Sequence, residues 1–497
     1  MSVALTRDGD AWLSAAGGVR WVPVIGLEVH CQLDTRTKLF CGCAYRFGAE
    51  PNSLTCPVCT GQPGALPVVN AAALELALRA ALAVGAEIAS QTHFDRKNYF
   101  YCDIPKNYQI SQLERPFCTG GGIELSSGKR VRLHRIHLEE DAGKAVHDRG
   151  QTTLVDLNRA GVPLIESVTE ADISSPEEAH EYLTALREIV QYVGASAADM
   201  EKGELRCDVN VSVRPEGEEL RAKVEVKNLN SFKSVKEALE HEIARQIEAY
   251  ESGDEARFPV QETRLYDAQA GETRTMRAKE EAHDYRYFPE PDIPPLTIPS
   301  ALVAEQRRLL PELPAARRRR YREELGLSDY DAGVLTQSRD VADLFETVAR
   351  LSQRPKESAN WISNEVLRAF SDPEIPAARV DELALRPHDL AELIGLVTAG
   401  TVNTNAGRTV LREMMKSGRP ARALIGELGL EQVQDEGQLE QWCRAALAGQ
   451  ERTIADVRAG KTKALGAVMG RVMRASQGKA DPRRVRALLL RIIGARE

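Results

Sequence analysis

The chain has 497 residues, 43% of them hydrophobic and 28% charged, with a formal net charge of −8. That length exceeds one ordinary core and points to about two to four domains, while the composition excludes an intrinsically disordered chain. The charge is uneven: residues 452 to 497 carry twelve Lys or Arg against three Asp or Glu, a local +9 that leaves −17 for residues 1 to 451, so an acidic body ends in a basic tail suited to a polyanion.

In chain order, MSVALTRDGDAWLSAAGG lacks a basic start followed by an apolar run, so no signal peptide and a cytoplasmic location are expected. In VIGLEVHCQL, residues 24 to 33, Ile25, Leu27, Val29, Cys31 and Leu33 alternate with Gly26, Glu28, His30 and Gln32. Period two predicts a strand with one buried and one polar face. LFCGCAYRFGAEPNSLTCPVCTG then sets Cys41 and Cys43 against Cys56 and Cys59. Nine cysteines in a chain of this kind do not read as a disulfide framework. Short thiolate pairs joined by a modest loop suit tetrahedral, structural zinc. An iron–sulfur cluster uses similar ligands and free buried thiols are the plain alternative; the spacing and the turn residues Gly42, Pro57 and Gly61 favour zinc. AAALELALRAALAVGAEIA, 71 to 89, is broken by Glu75, Arg79 and Glu87 and predicts a buried or amphipathic helix, not a membrane span.

FDRKNYFYCDIPKNYQISQ, 94 to 112, places Arg96, Lys97 and Lys106 among five aromatics, which suits a nucleotide or RNA surface or a packed loop. In IHLEEDAGK, 136 to 144, the acids Glu139, Glu140 and Asp141 repel one another and call for a nearby cation or an exposed turn. TLVDLNR, 153 to 159, places Asp156 with Asn158. SSPEEAHEYLTALREIVQYVG predicts a helix capped by Ser175, with Pro176 in the first turn and Gly194 as its stop. LRCDVNVSVR, 205 to 214, and RAKVEVKN, 221 to 228, are further alternating strands whose polar faces carry Asp208 and Asn210, and Glu225 and Lys227. A second helix is expected from Val235 to Tyr250. Strands and helices do not strictly alternate, which favours an α+β fold with an antiparallel sheet. One polar strand face is ordinarily solvated, but several that gather Glu, Asp, Asn, His and Lys predict a site for a divalent cation and a nucleotide's phosphates.

FPEPDIPPLTIPS, 288 to 300, holds five prolines and reads as a stiff linker or domain edge. The chain beyond it is helical in periodicity, with a second boundary at TAGTVNTNAG, 398 to 407. In the tail, Leu465, Val468, Met469, Val472 and Met473 form an apolar helical stripe, with Lys461, Lys463, Arg471, Arg474 and Lys479 mostly off it. These cations are expected to contact a phosphate backbone, and Arg317 to Arg320 to extend that surface.

Taken together, these stretches resemble the B subunit family of the aspartyl- and glutamyl-tRNA amidotransferases. The resemblance is carried by VIGLEVHCQL, CPVCTGQPGALPVVN, FDRKNYFYCDIPKNYQISQ, HLEEDAGK, VDLNRAGVPLIE, GELRCDVNVSVR, VEVKNLNSF and MRAKEEAHDYRYFPEPDIPPL, and by the tail GKTKALGAVMGRVMRASQGKADP. It implies an N-terminal cradle domain with an antiparallel sheet resembling the glutamine synthetase fold, then a helical domain and a helical tail. The expected division is an extension over 1–20, the kinase-like cradle over 21–296, the helical domain over 297–408 and a tRNA-binding tail over 409–497. The implied reaction is ATP-dependent phosphorylation of the side-chain carboxylate of Glu on tRNA(Gln) or Asp on tRNA(Asn). Amidation follows, with ammonia from a partner amidase (A) subunit, in a heterotrimer with a small C subunit.

By resemblance, Glu28, His30, Glu140 and Glu225 are expected to hold Mg²⁺, with Glu139 and Asp208 beside them; His30 could instead orient a neighbouring carboxylate. Lys97, Asn210, Lys227 and Asn228 are expected to meet ATP or substrate, and the four cysteines to hold zinc. Family members usually have Pro where this chain has Cys102, and EIVTEPDI where it has ESVTEADI, with Ser167 and Ala171; neither change removes an expected ligand. The rival readings are a zinc-containing RNA-binding assembly protein without catalysis and a carboxylate–amine ligase acting on a free small molecule. Retention of the acidic set opposes the first and the basic tail opposes the second.

Overall fold

The computed structural model describes residues 5–14, 18–146, 152–278, 285–375, 377, 379–433, 435–459, 461–476 and 479–494. The chain divides into two compact units, Met1–Leu313 and Pro314–Glu497. No helix among the described residues is long and apolar enough to cross a membrane.

The first unit is built on a twelve-stranded sheet. Its main strands are β1 (Arg20–Gln32), β2 (Arg130–Glu140), β3 (Pro163–Thr169), β4 (Leu205–Pro215), β5 (Val224–Leu229), β6 (Glu262–Asp267) and β7 (Glu272–Ala278), in the spatial order β7-β6-β5-β4-β1-β3-β2. Every neighbouring pair in that run is antiparallel except β5 with β6. The alternating pattern of residues 24 to 33 sits inside β1, where Ile25, Leu27, Val29 and Cys31 are buried in the core and Glu28 and His30 lie on the opposite face.

Helices cover the apolar face. Besides α1 (Ala71–Ala83), α2 (Pro176–Tyr192) begins as expected, with the Ser175 hydroxyl accepting from the Glu178 amide at 3.2 Å and Pro176 in the first turn. The next helix, α3 (Phe232–Glu251), starts three residues before its expected position, because Ser231 caps it by accepting from the Ser234 amide at 2.9 Å. Tyr182, Leu183, Val190, Val235, Ile243 and Ile247 join the buried residues of β1 and β4 in one core.

The proline-rich stretch is stitched into this unit. Phe288–Pro289 pairs with Asp95 and Arg96, Leu296–Thr297 pairs with Gln91 and Thr92, and Ile293 and Ile298 are buried. Proline lacks a donor but not an acceptor, so short edge pairings survive its presence.

The second unit is helical, including α4 (Arg339–Ser352), α5 (Pro387–Thr398), α6 (Thr404–Ser417), α7 (Glu436–Leu447), α8 (Leu465–Ala475) and α9 (Pro482–Ile493). One core joins Phe345, Leu393, Ile394, Val410 and Met414; a separate one joins Leu439, Cys443, Val468, Val472 and Leu489. Residue 408, where the tail's boundary is expected, lies within α6. Leu465, Val468 and Val472 are buried on α8 with Met469 and Met473 packed beside them, which is the stripe read from the sequence. The arginine run behaves differently from expectation. Arg317 pairs with Asp343 at 2.6 Å, Arg318 donates to Thr336 at 2.8 Å and Arg320 pairs with Glu346 at 2.6 Å, so three of the four are engaged inside the unit.

Candidate functional site

Strand register gathers two polar clusters on the open face of the sheet. In the first, His30 on β1 stands opposite Glu166 on β3, and Glu166 stands opposite His137 on β2. Glu139 lies two residues beyond His137, on the same face. His30 Nε2 is 3.3 Å from Glu166 and 3.5 Å from Glu139, while His137 Nε2 is 3.3 Å from Glu166 and 3.6 Å from Glu139. Ser111 donates to Glu139 at 3.1 Å. Donor atoms of His30, Glu139 and Glu166 lie within 4.8 Å of one another, close enough to hold one metal ion.

The electrostatics of this cluster are mutual. Burial opposes the imidazolium of His30, but Glu166 and Glu139 outweigh it and raise its pKa. The same contest raises His137 to about 9. Burial also opposes both carboxylates, yet the two histidines hold Glu166 well below the usual carboxylate range and His137 and His30 bring Glu139 below it too. Two buried acids can stay ionised this close together only with positive charge between them, which is the electrostatic role a cation would take over. Among the described residues, none is a hydrogen-bond partner of the buried His137 Nδ1.

The second cluster lies one strand over. Glu28 faces Asp208 across β1 and β4, and Asn210 faces Glu225 across β4 and β5. Asn210 donates to Glu28 at 2.9 Å; Lys227 bridges Asp208 at 2.5 Å and Glu225 at 2.8 Å, and Thr263 donates to Glu225 at 2.9 Å. Burial, then the charges of Glu166 and Glu225, raise the pKa of Glu28. Asp208 and Glu225 raise the Lys227 ammonium against burial. Lys97 lies 4.9 Å over the Tyr285 ring, and Glu139 and Glu166 raise its pKa against burial.

Two expected residues lie elsewhere. Glu140 follows Glu139 on a pleated strand and therefore points to the other face, where it accepts from the Ile110 amide at 2.9 Å and pairs with Lys106. Asn228 has a left-handed backbone, φ 67°, and turns its amide to the Tyr266 carbonyl at 3.0 Å. Asp141 closes the acidic triplet. It is buried and accepts from Gln32 at 2.9 Å and Arg206 at 2.6 Å, and the Arg206 and Arg159 guanidiniums hold it ionised below the usual range despite burial.

Sequence reasoning missed Glu166 and His137. Both left a signal. Glu166 is the one acid in PLIESVT, a strand buried on both sides except at half-buried Val168, and an acid in such a run needs a partner. His137 shares its face with Glu139 by period two.

The four cysteine thiols Cys41, Cys43, Cys56 and Cys59 converge within 4.8 Å and are not disulfide-bonded. The hydrogen bond from Cys41 holds Cys59 down to about 4 against burial, with help from the Cys56 amide and Lys38; the same bond and burial push Cys41 up. Four soft donors converging this closely fit a metal ion bound without an open position. The loop between the pairs is sewn to residues 155–158: the Asn52 amide donates to Asp156 at 3.0 Å, the Leu54 amide to Asn158 at 2.8 Å, and Asn158 to the Glu50 carbonyl at 2.7 Å.

In the second unit, Lys461, Lys463, Arg471 and Arg474 are exposed and Lys479 is half-buried. Lys461 pairs with Asp456 at 3.0 Å; among the described residues no carboxylate pairs with the other four.

Two family models match the chain: a GatB/GatE catalytic domain over residues 23–304 and a GatB domain over residues 343–493. The B subunit of the aspartyl/glutamyl-tRNA(Asn/Gln) amidotransferase of Geotalea daltonii is 50% identical over 476 residues, covering 94% of this chain and 98% of the relative. Proteins of the same name from Persephonella marina and Myxococcus xanthus are 48% and 47% identical, each aligned over 95% of this chain and over 99% and 98% of their own lengths.

Proposed function

The chain belongs to the GatB/GatE family, and on that premise we propose that it is the B subunit of a tRNA-dependent amidotransferase, acting in the cytoplasm with an amidase subunit and a small third subunit. It converts Glu on tRNA(Gln), or Asp on tRNA(Asn), into the matching amide. The observation that carries this reading is the pair of acid clusters on one face of the sheet, flanked by Lys97 and Lys227. The antiparallel sheet with one polar face also agrees with a glutamine synthetase-like cradle.

A carboxylate does not acylate ammonia until one oxygen becomes a leaving group. A side-chain oxygen of the tRNA-bound amino acid attacks the γ-phosphorus of ATP and ADP leaves; ammonia then attacks the acyl carbon and phosphate departs. Such a transfer is catalysed by positioning and charge, with no protein nucleophile. His30, Glu139 and Glu166 would hold a divalent cation, and Mg²⁺ there would offset phosphate charge; Glu28, Asp208 and Glu225, engaged by Asn210 and Lys227, lie one strand over. Lys97 and Lys227 offset the repulsion between the γ-phosphate and the attacking carboxylate, and Asn210 fixes Glu28 in place. His137, wedged between Glu139 and Glu166, keeps the two acids together. The four cysteines would hold a structural Zn²⁺ with no open position for substrate.

The test is ATP cleavage by the chain assembled with its amidase partner, comparing Glu-tRNA(Gln) with the same tRNA uncharged. Cleavage dependent on the charged tRNA supports the reading. Equal rates with both would favour a non-catalytic RNA-binding protein or a small-molecule ligase.

The tail region, 409–497, serves as the tRNA-binding element through Lys461, Lys463, Arg471, Arg474 and Lys479. Replacing Lys463, Arg471 and Arg474 together with Ala is expected to weaken tRNA binding at least about tenfold and to lower the slope of log affinity against log salt by about three. Filter binding across a salt series measures both; an unchanged slope would remove these residues from the interface.

A further inference from the structure

Behind the cysteines lies a cavity of about 90 Å³ whose walls include Lys38, Cys41, Cys59, Lys106, Glu140 and Gly161. Lys38 is the unusual member. Its side chain is only 1% exposed, yet among the described residues no carboxylate lies within ion-pair distance of it, whereas Lys106 in the same cavity is matched by Glu140. The Lys38 ammonium donates to Cys59 Sγ at 3.4 Å and to the Leu157 carbonyl at 3.4 Å. Its backbone amide donates to the Cys43 carbonyl at 2.9 Å, which fixes the lysine to the cysteine loop at both ends. Gly161, with φ 85°, backs onto this pair: a Cβ there would make ordinary contact with Cys59 at 3.4 Å and with the Lys38 side chain at 3.5 Å, so it is the left-handed backbone that favours glycine.

A buried ammonium needs a negative partner, because its hydration is lost and a neutral carbonyl does not replace it. Here the available anion is thiolate sulfur. Four thiolates around a divalent metal leave a net charge of −2, which is equally in need of compensation in a buried setting. We propose that Lys38 is the counter-charge of the four-cysteine metal centre, bonding the Cys59 sulfur so that the metal is held tightly and the sulfur's electrons are stabilised. This rests on the zinc reading of the cysteines given above. Lys38 acts through Cys59 and is a positioning residue, a role that outer partners of metal ligands commonly fill.

The experiment uses the full chain loaded with Zn²⁺ or Co²⁺, in four forms: wild type, Lys38→Met, Lys38→Gln and Lys38→Arg. Zinc release to a chromogenic chelator is expected to be about 10- to 100-fold faster in Lys38→Met, the range by which outer partners alter metal affinity. The sulfur-to-cobalt charge-transfer band is expected to move to longer wavelength in the same variant. Lys38→Gln, which keeps a polar amide donor on a side chain one bond shorter but not the charge, should follow Lys38→Met on both readouts, and Lys38→Arg should return towards wild type. If Lys38→Met does not fold, Lys38→Gln carries the test. A merely structural lysine would lower the melting temperature without moving the band. Release rates and spectra indistinguishable from wild type would overturn the role of Lys38 alone, whereas a wild-type chain that takes up neither metal on its cysteines would overturn the zinc reading and this proposal together.

Discussion

A Glu166→Gln chain, assembled with its amidase partner, is expected to cleave ATP in response to Glu-tRNA(Gln) about 100-fold more slowly than wild type, or worse, while the partner still hydrolyses glutamine. Glu166 is the acid that both His30 and His137 approach at 3.3 Å, so its charge organises the whole first cluster. The amide keeps the shape and removes the charge, leaving two imidazoles and Glu139 without the anion between them. Losing one preorganised electrostatic group in a closed site costs about 10²–10³ in rate. Glu170→Gln is the control. Glu170 lies just beyond β3, half-exposed and 3.2 Å from His134, and its loss should leave the rate unchanged. Equal activity of the Glu166 and Glu170 variants would remove the first cluster from the reaction.

Replacing Cys59 with Ser is expected to lower bound zinc from about one per chain to below detection, and to lower the first thermal transition by about 5 °C or more. Structural zinc sites couple metal affinity directly to folding, and in small domains that affinity is worth about 10–16 kcal/mol. Here the loop around the cysteines has its own anchors, the Asn52 and Asn158 hydrogen bonds, so local disorder and not global unfolding should follow. A strong chelator should reproduce the shift in the wild type and add nothing to the variant. Metal analysis with calorimetry decides the matter, and a variant that retains zinc and melts as wild type would mean that the cysteines are ordinary buried thiols.

What could be read before folding was local. Period two in residues 24 to 33 and 205 to 214 assigned Glu28, His30, Asp208 and Asn210 to polar strand faces, because pleating forces alternate side chains apart. Capping chemistry located α2 from Ser175 and Pro176, and helical spacing found the stripe of α8. The spacing of the cysteines was enough to bring four thiols together, since short loops leave little choice. The same alternation separates Glu139 from Glu140 once both are known to lie within β2; with a cation site and an exposed turn both open for the triplet, its residues alone did not assign the two acids to opposite faces.

The remainder needed partners distant in sequence. His30 and His137 both meet Glu166 only because β3 inserts between β1 and β2, a pairing over more than a hundred residues that no periodicity encodes. Arg317 and Arg320 read as a basic surface and instead face Asp343 and Glu346 one helix away, because side-chain charge says nothing about which face is covered. Lys38 carries no mark in the sequence of being buried against a sulfur. The chain by itself determined which groups stand on which side of each strand and helix, a matter of backbone geometry. The order of the strands, and hence which of those groups share a cluster, was decided by tertiary packing of the apolar faces they carry on their other side.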